Sequence, residues 1–244
     1  MSHNYKDIIN SLSETRLNTY KSLNGSSTVN ELDIYCYITI QDLSSHFFLP
    51  LQLLELSLRN HIHSNMSVFY KNIEWFNPYT LTAESKRQLS DAKRKKKNGK
   101  NLTSDAIVAQ LSFGYWVYML SPEHRNELTF WKSELNKVFI GNSNNKNIKK
   151  LFGELVELNE LRNRLYHNEP IWKGTKKNPV TSYAQAIHSL SEKYKKVINM
   201  LMVISPAKYA LLESLGVFQD FEESCDKHLK AYSAKCDACL EKTA

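Results

Sequence analysis

Apolar residues recur along the chain at intervals of three and four positions, the spacing of one face of an α-helix. One such row is Leu43, Phe47, Leu51, Leu54, Leu58 and Ile62. A second row is Ile148, Leu151, Phe152, Leu155 and Leu158. Almost every segment with a readable pattern follows this spacing rather than the strict alternation of a half-buried strand. The sequence therefore predicts an all-α fold.

Capping and turn residues divide the chain into helices. The stretch "SETRLNTYKSL" predicts a short helix that ends at Asn24 and Gly25, and a long helical region follows from about residue 31 to about residue 70. Pro50 is expected to kink that region or to divide it in two. We find no internal repeat and no long linker, so a single domain is predicted over residues 1–244. Residues 1–12 are expected to be flexible and residues 217–244 to form a C-terminal helix.

The composition suits a globular protein. Its 244 residues, of which 42% are hydrophobic, can bury a substantial core. No run of 18 apolar residues and no secretory signal is present, which predicts a soluble cytoplasmic protein that does not enter a membrane. The formal charge is +7, and residues 86–100 carry eight basic residues against one acid. Such a basic run is usually a solvated surface, and it indicates nucleic acid only where another feature agrees.

Three cysteines and a histidine near the C-terminus raise the question of a metal site. Cys225, His228, Cys236 and Cys239 have the form C-x2-H-x7-C-x2-C, which can be interpreted as a zinc site. The same residues also fit one continuous amphipathic helix, with no turn to bring the pairs together. Small buried cysteines are therefore the favoured interpretation, and neither a metal nor another cofactor is predicted.

The stretch "ELRNRLYHNEPIW" (residues 160–172) places an arginine in the second apolar row. Burying a cation alone is costly, so Arg162 must be paired or this face must be partly open. Asn163 and His167 are four residues apart and share a face. Pro170 disfavours helix at the residue before it, so the helix is expected to end near His167 or Asn168.

The spacing of Arg162 and His167 sets a geometric problem. They are five residues apart, or about 140° around an ideal helix. They converge on one phosphate only if the helix unwinds near His167, or if two copies of the chain meet. The alternative is an exposed helix end with incidental charges.

A charged row lies on the other long helix, in "LELSLRNHIHSNM". Glu55, Arg59 and His63 follow one another at four-residue spacing, and Asn60 lies beside them. Glu55 preceding Arg59 is the favourable order for an ion pair within a helix. A plain surface salt bridge is the alternative to a supporting role in a site.

The residues also carry a family resemblance. "RNRLYH" (residues 162–167) matches the R-N-x-x-x-H form of the R-x4-6-H signature of HEPN ribonuclease domains. Four stretches in order, "SETRLNTY", "LELSLRNHI", "QLSFGYWVYML" and "LRNRLYHNEPI", resemble the Abi-like family of abortive-infection proteins related to AbiD and AbiF. The resemblance runs from about residue 13 to about residue 172, and the final helices match more loosely.

The resemblance implies a HEPN-like helical bundle with additional flanking helices, commonly a homodimer. It implies a metal-independent endoribonuclease that acts on RNA in abortive-infection phage defence or as a toxin, with an antitoxin or a defence-system partner. The toxin subgroup silenced by nucleotidylation has a tyrosine two places after the histidine, where this chain has Glu169, so that regulation is not expected here. The alternative is a non-catalytic HEPN module that binds RNA or a partner protein, with Arg162 and His167 at the interface.

The site expected from this resemblance has three groups of residues. His167 would transfer protons near neutral pH, Arg162 would hold phosphate oxygens, and Asn163 would orient the imidazole or the phosphate. The supporting residues are Glu55, Arg59, Asn60, His63, Tyr166 and Glu169. The residues expected to bind the RNA backbone regardless of sequence are Lys93, Arg94, Lys95, Lys96 and Lys97.

Overall fold

The computed structural model describes residues 5–76, 81–97, 100–127, 129–141 and 147–241. The helices are α1 Tyr5–Leu12, α2 Glu14–Asn24, α3 Glu31–Ser45, α4 Phe48–Phe69, α5 Ala83–Arg94, α6 Ser104–Ala109, α7 Phe113–Tyr118, α8 Pro122–Glu127, α9 Phe130–Val138, α10 Ile148–Tyr166, α11 Tyr183–Ile204, α12 Pro206–Ser214 and α13 Val217–Glu241. Strands β1 Lys96–Lys97 and β2 Lys100–Asn101 pair antiparallel in a minimal ladder. The predicted all-α class is confirmed.

Capping residues set the ends of the first helices. Ser13 accepts a hydrogen bond from the backbone N–H of Arg16 at the start of α2. Gly25 ends α2 in the left-handed conformation, with φ of 66°, and its N–H donates to the Lys21 carbonyl. Glycine adopts this conformation without steric cost, so the predicted end of this helix is confirmed.

The long helical region is divided between Ser45 and Phe48. Pro50 is the third residue of α4, inside its first turn. The first backbone N–H groups of a helix have no intrahelical acceptor, so a proline there removes no hydrogen bond. Of the two outcomes predicted for this region, a kink or a division in two, the structure shows the division.

The chain divides into two compact units, each assembled from separate stretches of sequence. Unit 1 comprises Met1–Leu49, Arg164–Lys196 and Leu211–Ala244, and unit 2 comprises Pro50–Asn163 and Val197–Ala210. The boundaries fall inside or at the ends of helices. The single domain expected from the sequence stays a prediction.

Aromatic rings fill much of the core of unit 1. Tyr194 stacks on Phe221 with ring centroids 4.0 Å apart, and Phe47 packs edge-on against both.

Helix α1 lies where the sequence predicted a flexible segment. Its Tyr5 hydroxyl donates to a Glu31 carboxylate oxygen at 2.6 Å, a contact between residues 26 positions apart that no local pattern reveals.

The two apolar rows recognised in the sequence contribute to the core of unit 2, together with the aromatic-rich segment of residues 113–139. The α4 row is fully buried at Leu54, Leu58 and Ile62. On α10 the buried positions include Leu155 and Leu158. No helix in the described part of the chain is long and apolar enough to cross a membrane.

The C-terminal helix is confirmed as α13. Cys225 and Cys236 are eleven residues apart on this one helix, which separates them by about 16 Å along its axis. Nε2 of His228 lies 2.7 Å from Asp42 Oδ2. Within the described residues, no group of three metal-ligating side chains is close enough to hold an ion, and the side chain of Cys239 lies outside that part.

Candidate functional site

Arg162 is paired with a carboxylate from the neighbouring long helix. Its Nε donates to Glu55 Oε2 at 3.3 Å, and the two side chains are 25% and 22% exposed. Its Nη1 donates to Asn163 Oδ1 at 3.4 Å. The dry face of α10 continues through the buried residues Leu161 and Leu165. An arginine is tolerated here because it lies at the edge of that face and has a carboxylate partner.

Other residues of the α4 row have different partners. Nε of Arg59 donates to the adjacent Asn60 Oδ1 at 3.3 Å. Nδ1 of His63 accepts from the Trp75 indole N–H at 3.0 Å, and burial lowers the pKa of this imidazole. Glu55 is therefore the residue of this row that reaches Arg162. The expected ion pair with Arg59 is replaced by one with an arginine 107 positions away.

His167 follows the last residue of α10 and is exposed. Asn168 adopts the left-handed conformation with φ of 54°. The Glu169 N–H donates to the Arg164 carbonyl at 2.9 Å, and the Asn168 N–H donates to the Leu165 carbonyl at 3.1 Å. This pair of bonds is the Schellman motif that closes many helices. The predicted end of the helix near His167 or Asn168 is confirmed.

Two arginines hold the turn after His167. Arg164 lies 3.4 Å from a Glu169 carboxylate oxygen and donates to the Pro170 carbonyl. Arg16 donates from Nη1 to the Asn168 carbonyl at 3.4 Å. Glu169, expected to support the site, thus serves the turn itself. The sequence did not indicate these arginines, because neither contact has a helical spacing.

A half-buried lysine, Lys193, holds the segment that continues from the turn. Nζ of Lys193 donates to the carbonyls of Ile171 and Lys173 at 2.7 Å and 2.9 Å. Burial, with a smaller effect from Arg164, lowers the pKa of Lys193 to about 8. The sequence did not indicate these contacts of Lys193, because the acceptors are backbone atoms 22 and 20 residues away. Side-chain hydrogen bonds thus hold the backbone that follows His167.

Tyr166, the last supporting residue, lies on the surface of unit 1. Its ring contacts Phe48 edge-on with centroids 5.4 Å apart. The two side chains are 41% and 38% exposed. Together they form an exposed aromatic pair at the end of α10.

The basic run spans the end of α5 and strand β1. Nζ of Lys93 lies 5.2 Å from the centre of the Phe76 ring. Arg94 lies 3.6 Å from Asp91, and Lys95 donates to Gln110 Oε1 at 2.8 Å. The side chains of Lys96 and Lys97 lie outside the described part. Lys93, Arg94 and Lys95 are all exposed.

The arrangement supplies two chemical groups. Arg162 is a partly exposed guanidinium whose orientation is fixed by a carboxylate, as in sites that bind phosphate. His167 presents an exposed imidazole just after the end of α10. Helix α10 is uninterrupted through Tyr166, so the unwinding considered from the sequence does not begin before that residue. Arg162 belongs to unit 2 and His167 to unit 1.

In comparisons with protein-family models, curated proteins and solved structures, nothing matched this chain.

Proposed function

We propose that this protein is a metal-independent endoribonuclease of the HEPN type, with Arg162, Asn163 and His167 as its catalytic residues. The observation that supports this most is the pairing of Arg162 with Glu55 at 3.3 Å on a surface that remains partly open. A guanidinium held in this way is an oriented positive charge that can attract phosphate oxygens. The sequence resemblance of residues 162–167 to the HEPN signature supplies the reaction class.

The proposed reaction needs only groups that the protein and RNA carry. The RNA 2′-hydroxyl attacks the adjacent phosphorus while a His167 imidazole accepts its proton. The bond from phosphorus to the 5′-oxygen breaks, and a protonated imidazole returns a proton to that oxygen. Arg162 stabilises the charge that develops on the non-bridging oxygens. The products carry a 2′,3′-cyclic phosphate and a 5′-hydroxyl.

Two copies of the chain form the site in this proposal. One helix directs positions 162 and 167 about 140° apart, so one copy does not aim both side chains at the same phosphate. A second copy supplies the missing group and also the second imidazole that the proton transfers require. The basic run Lys93, Arg94, Lys95, Lys96 and Lys97 adds affinity for the RNA backbone. The biological role that fits is phage defence by damage to RNA, or action as a toxin restrained by a partner.

A second function follows from the same ion pair. Arg162 has a protein carboxylate as partner, so it can serve stability alone. The protein would then be a non-catalytic module that binds RNA or another protein. His167 distinguishes the two functions. Its exposed side chain makes none of the contacts described above, so its removal should affect catalysis without affecting the fold.

The decisive experiment is incubation of the purified full chain with total RNA, with and without a chelator. We expect cleavage that survives the chelator, spares DNA and leaves 2′,3′-cyclic phosphate ends. His167→Ala should remove cleavage while the protein stays folded and keeps its oligomeric state. His188→Ala is the matched control, since His188 is also exposed but lies on α11.

Three results would count against the enzyme. Cleavage lost on chelation, or equal cleavage of DNA, removes the 2′-hydroxyl mechanism. Wild-type protein that binds RNA and never cuts it favours the binding module. Expression in cells provides an independent readout, since a wild-type protein that arrests growth and a tolerated His167→Ala variant are expected from the enzyme.

A further inference from the structure

A cavity of about 570 Å³ lies in unit 2 between the start of α5, helix α7 and the start of α8. This volume is within the range of pockets that bind small organic ligands. The buried polar residues that line it are Ser85, Tyr115, Ser121 and His124. Tyr118 also lines it and is 49% exposed, so the cavity has a buried polar wall and an accessible aromatic ring.

The hydrogen bonds of His124 fix which groups the cavity can offer. Nδ1 lies 2.9 Å from the Tyr118 carbonyl oxygen, which can only accept, so Nδ1 carries the hydrogen. Ser121 Oγ, 3.2 Å from Nδ1, therefore accepts from it and can donate its own hydrogen to a ligand. Ser85 Oγ accepts from Thr82 Oγ1 at 3.1 Å and can donate in the same way.

Tyr115 also lines this cavity. Its side chain is 1% exposed, and its hydroxyl is buried without a hydrogen-bond partner among the described residues. The donors of the cavity are therefore the Ser85 and Ser121 hydroxyls, which suit a ligand with acceptor oxygens.

The lining of the cavity does not favour a phosphate. Two exposed carboxylates, those of Glu84 and Glu123, belong to the lining, whereas none of the described lining residues is a lysine or an arginine. Arg87 lies 2.6 Å from Glu84 but is not part of the lining. An uncharged ligand therefore suits this lining better than an anion.

The cavity is adjacent to the helix that carries Arg162. Gly114 lines the cavity, and a Cβ atom at this glycine would lie 3.4 Å from Asn159 Nδ2 on α10. Tyr118 contacts Phe152 of the same helix edge-on, with centroids 5.8 Å apart. Asn159 precedes Arg162 by three residues, so the two lie on neighbouring turns of one side of α10.

We propose that this cavity binds a nucleobase of the RNA whose phosphate contacts Arg162, and that it prefers uracil, cytosine or guanine to adenine. This inference rests on the proposed function. A base is uncharged and can stack on the Tyr118 ring, as bases do on aromatic side chains in single-stranded RNA sites. The three preferred bases carry ring carbonyl oxygens that accept from the hydroxyls of Ser85 and Ser121. Adenine has no carbonyl oxygen, and its acceptors are ring nitrogens, which do not project from the ring edge as a carbonyl oxygen does.

The first test is binding of nucleosides to the full chain by calorimetry. Uridine or guanosine should bind more tightly than adenosine. Tyr118→Ala should weaken uridine binding about 10-fold through the loss of stacking. Ala83→Trp, at an exposed lining position, should block the opening without removing a core contact. Tyr5→Ala is the control, because Tyr5 is an exposed tyrosine of unit 1.

The second test links the cavity to Arg162. A uridine trinucleotide with 2′-O-methyl groups cannot be cleaved by 2′-hydroxyl attack, so its binding is read independently of catalysis. It should bind more tightly than uridine and should be weakened by both Tyr118→Ala and Arg162→Ala. The proposal is overturned if the trinucleotide binds no more tightly than uridine, or if Arg162→Ala leaves its affinity unchanged.

Other outcomes are equally decisive. Adenosine bound as tightly as uridine, no binding of any nucleoside, or binding unaffected by both Tyr118→Ala and Ala83→Trp also overturns it. Trinucleotide binding with the expected sensitivities, in a protein that leaves natural RNA intact, supports the base site and removes the ribonuclease. The failures of the two proposals are therefore distinguishable.

Discussion

The ion pair between Glu55 and Arg162 makes a quantitative prediction about stability. At 3.3 Å and an effective dielectric constant of about 20, the attraction is on the order of 5 kcal/mol. Desolvation of both groups offsets most of it. Exposed pairs contribute about 0–1 kcal/mol, while breaking a buried pair costs about 3–5 kcal/mol. These side chains are 25% and 22% exposed, so we expect a coupling free energy of about 1–2 kcal/mol.

A double-mutant cycle measures this coupling. The four proteins are the wild type, Glu55→Gln, Arg162→Met and the double variant, each unfolded in urea and followed by circular dichroism. For a chain of this length, each kcal/mol corresponds to about 2–4 °C in Tm. The comparison requires the same dependence on urea concentration in all four proteins.

Lys150 and Glu154 of α10 provide the matched control cycle. Their charged atoms are 3.9 Å apart and the side chains are 68% and 46% exposed. An exposed pair at this spacing should couple by no more than about 0.5 kcal/mol. Equal coupling in the two cycles would refute the reasoning, because burial and a fixed geometry would then contribute nothing at Arg162.

Three further predictions concern the basic run, the turn and pH. Neutralising residues 93–97 should weaken binding to all RNA sequences alike. The slope of the logarithm of the binding constant against the logarithm of the salt concentration should become less steep by about 0.7 per lost phosphate contact. An unchanged slope in a salt titration would show that these residues form only a solvated surface. Asn168 has a φ of 54°, so Asn168→Ala should lower the free energy of unfolding in urea by about 1 kcal/mol. Asn168→Gly should not lower it, because glycine adopts this conformation without steric cost. Equal losses in the two variants would contradict the left-handed turn. Burial lowers the pKa of His124 in the folded protein below its unfolded value near 6.5. The unfolded chain therefore binds more protons than the folded protein as pH falls through 6.5. The free energy of unfolding should decrease there, by at most about 1.4 kcal/mol per pH unit. Urea titrations at pH 7.5, 6.5 and 5.5 should show a smaller decrease in His124→Gln, and an identical decrease would exclude this histidine as its source.

The helices were the part of the structure most open to prediction from the sequence. The row from Leu43 to Ile62 is fully or almost fully buried as its spacing predicts. Ser13 and Gly25 mark the ends of α2, and Pro170 marks the end of α10. These features are local, because a helix, its caps and its apolar face are set by residues within a few positions of one another.

The sequence could state the problem posed by Arg162 but could not solve it. It showed that a cation enters an apolar row and must be paired or partly exposed. It suggested Arg59 as the partner of Glu55, since that pair has a helical spacing. The structure pairs Glu55 with Arg162 instead, because the packing of α4 against α10 brings these distant residues together.

What only the tertiary structure decided is how the turn and the cavity are built. Arg16 and Lys193 donate to backbone carbonyls after His167, and backbone acceptors leave no mark in a sequence. The cavity beside Gly114 arises where three helices meet, and its hydroxyls come from segments with ordinary capping patterns. The sequence by itself determined the all-α class, the helix ends and the residues that carry the chemistry, because these depend on short-range order. The partners of those residues depend on contacts between distant segments, and only the folded chain supplies them.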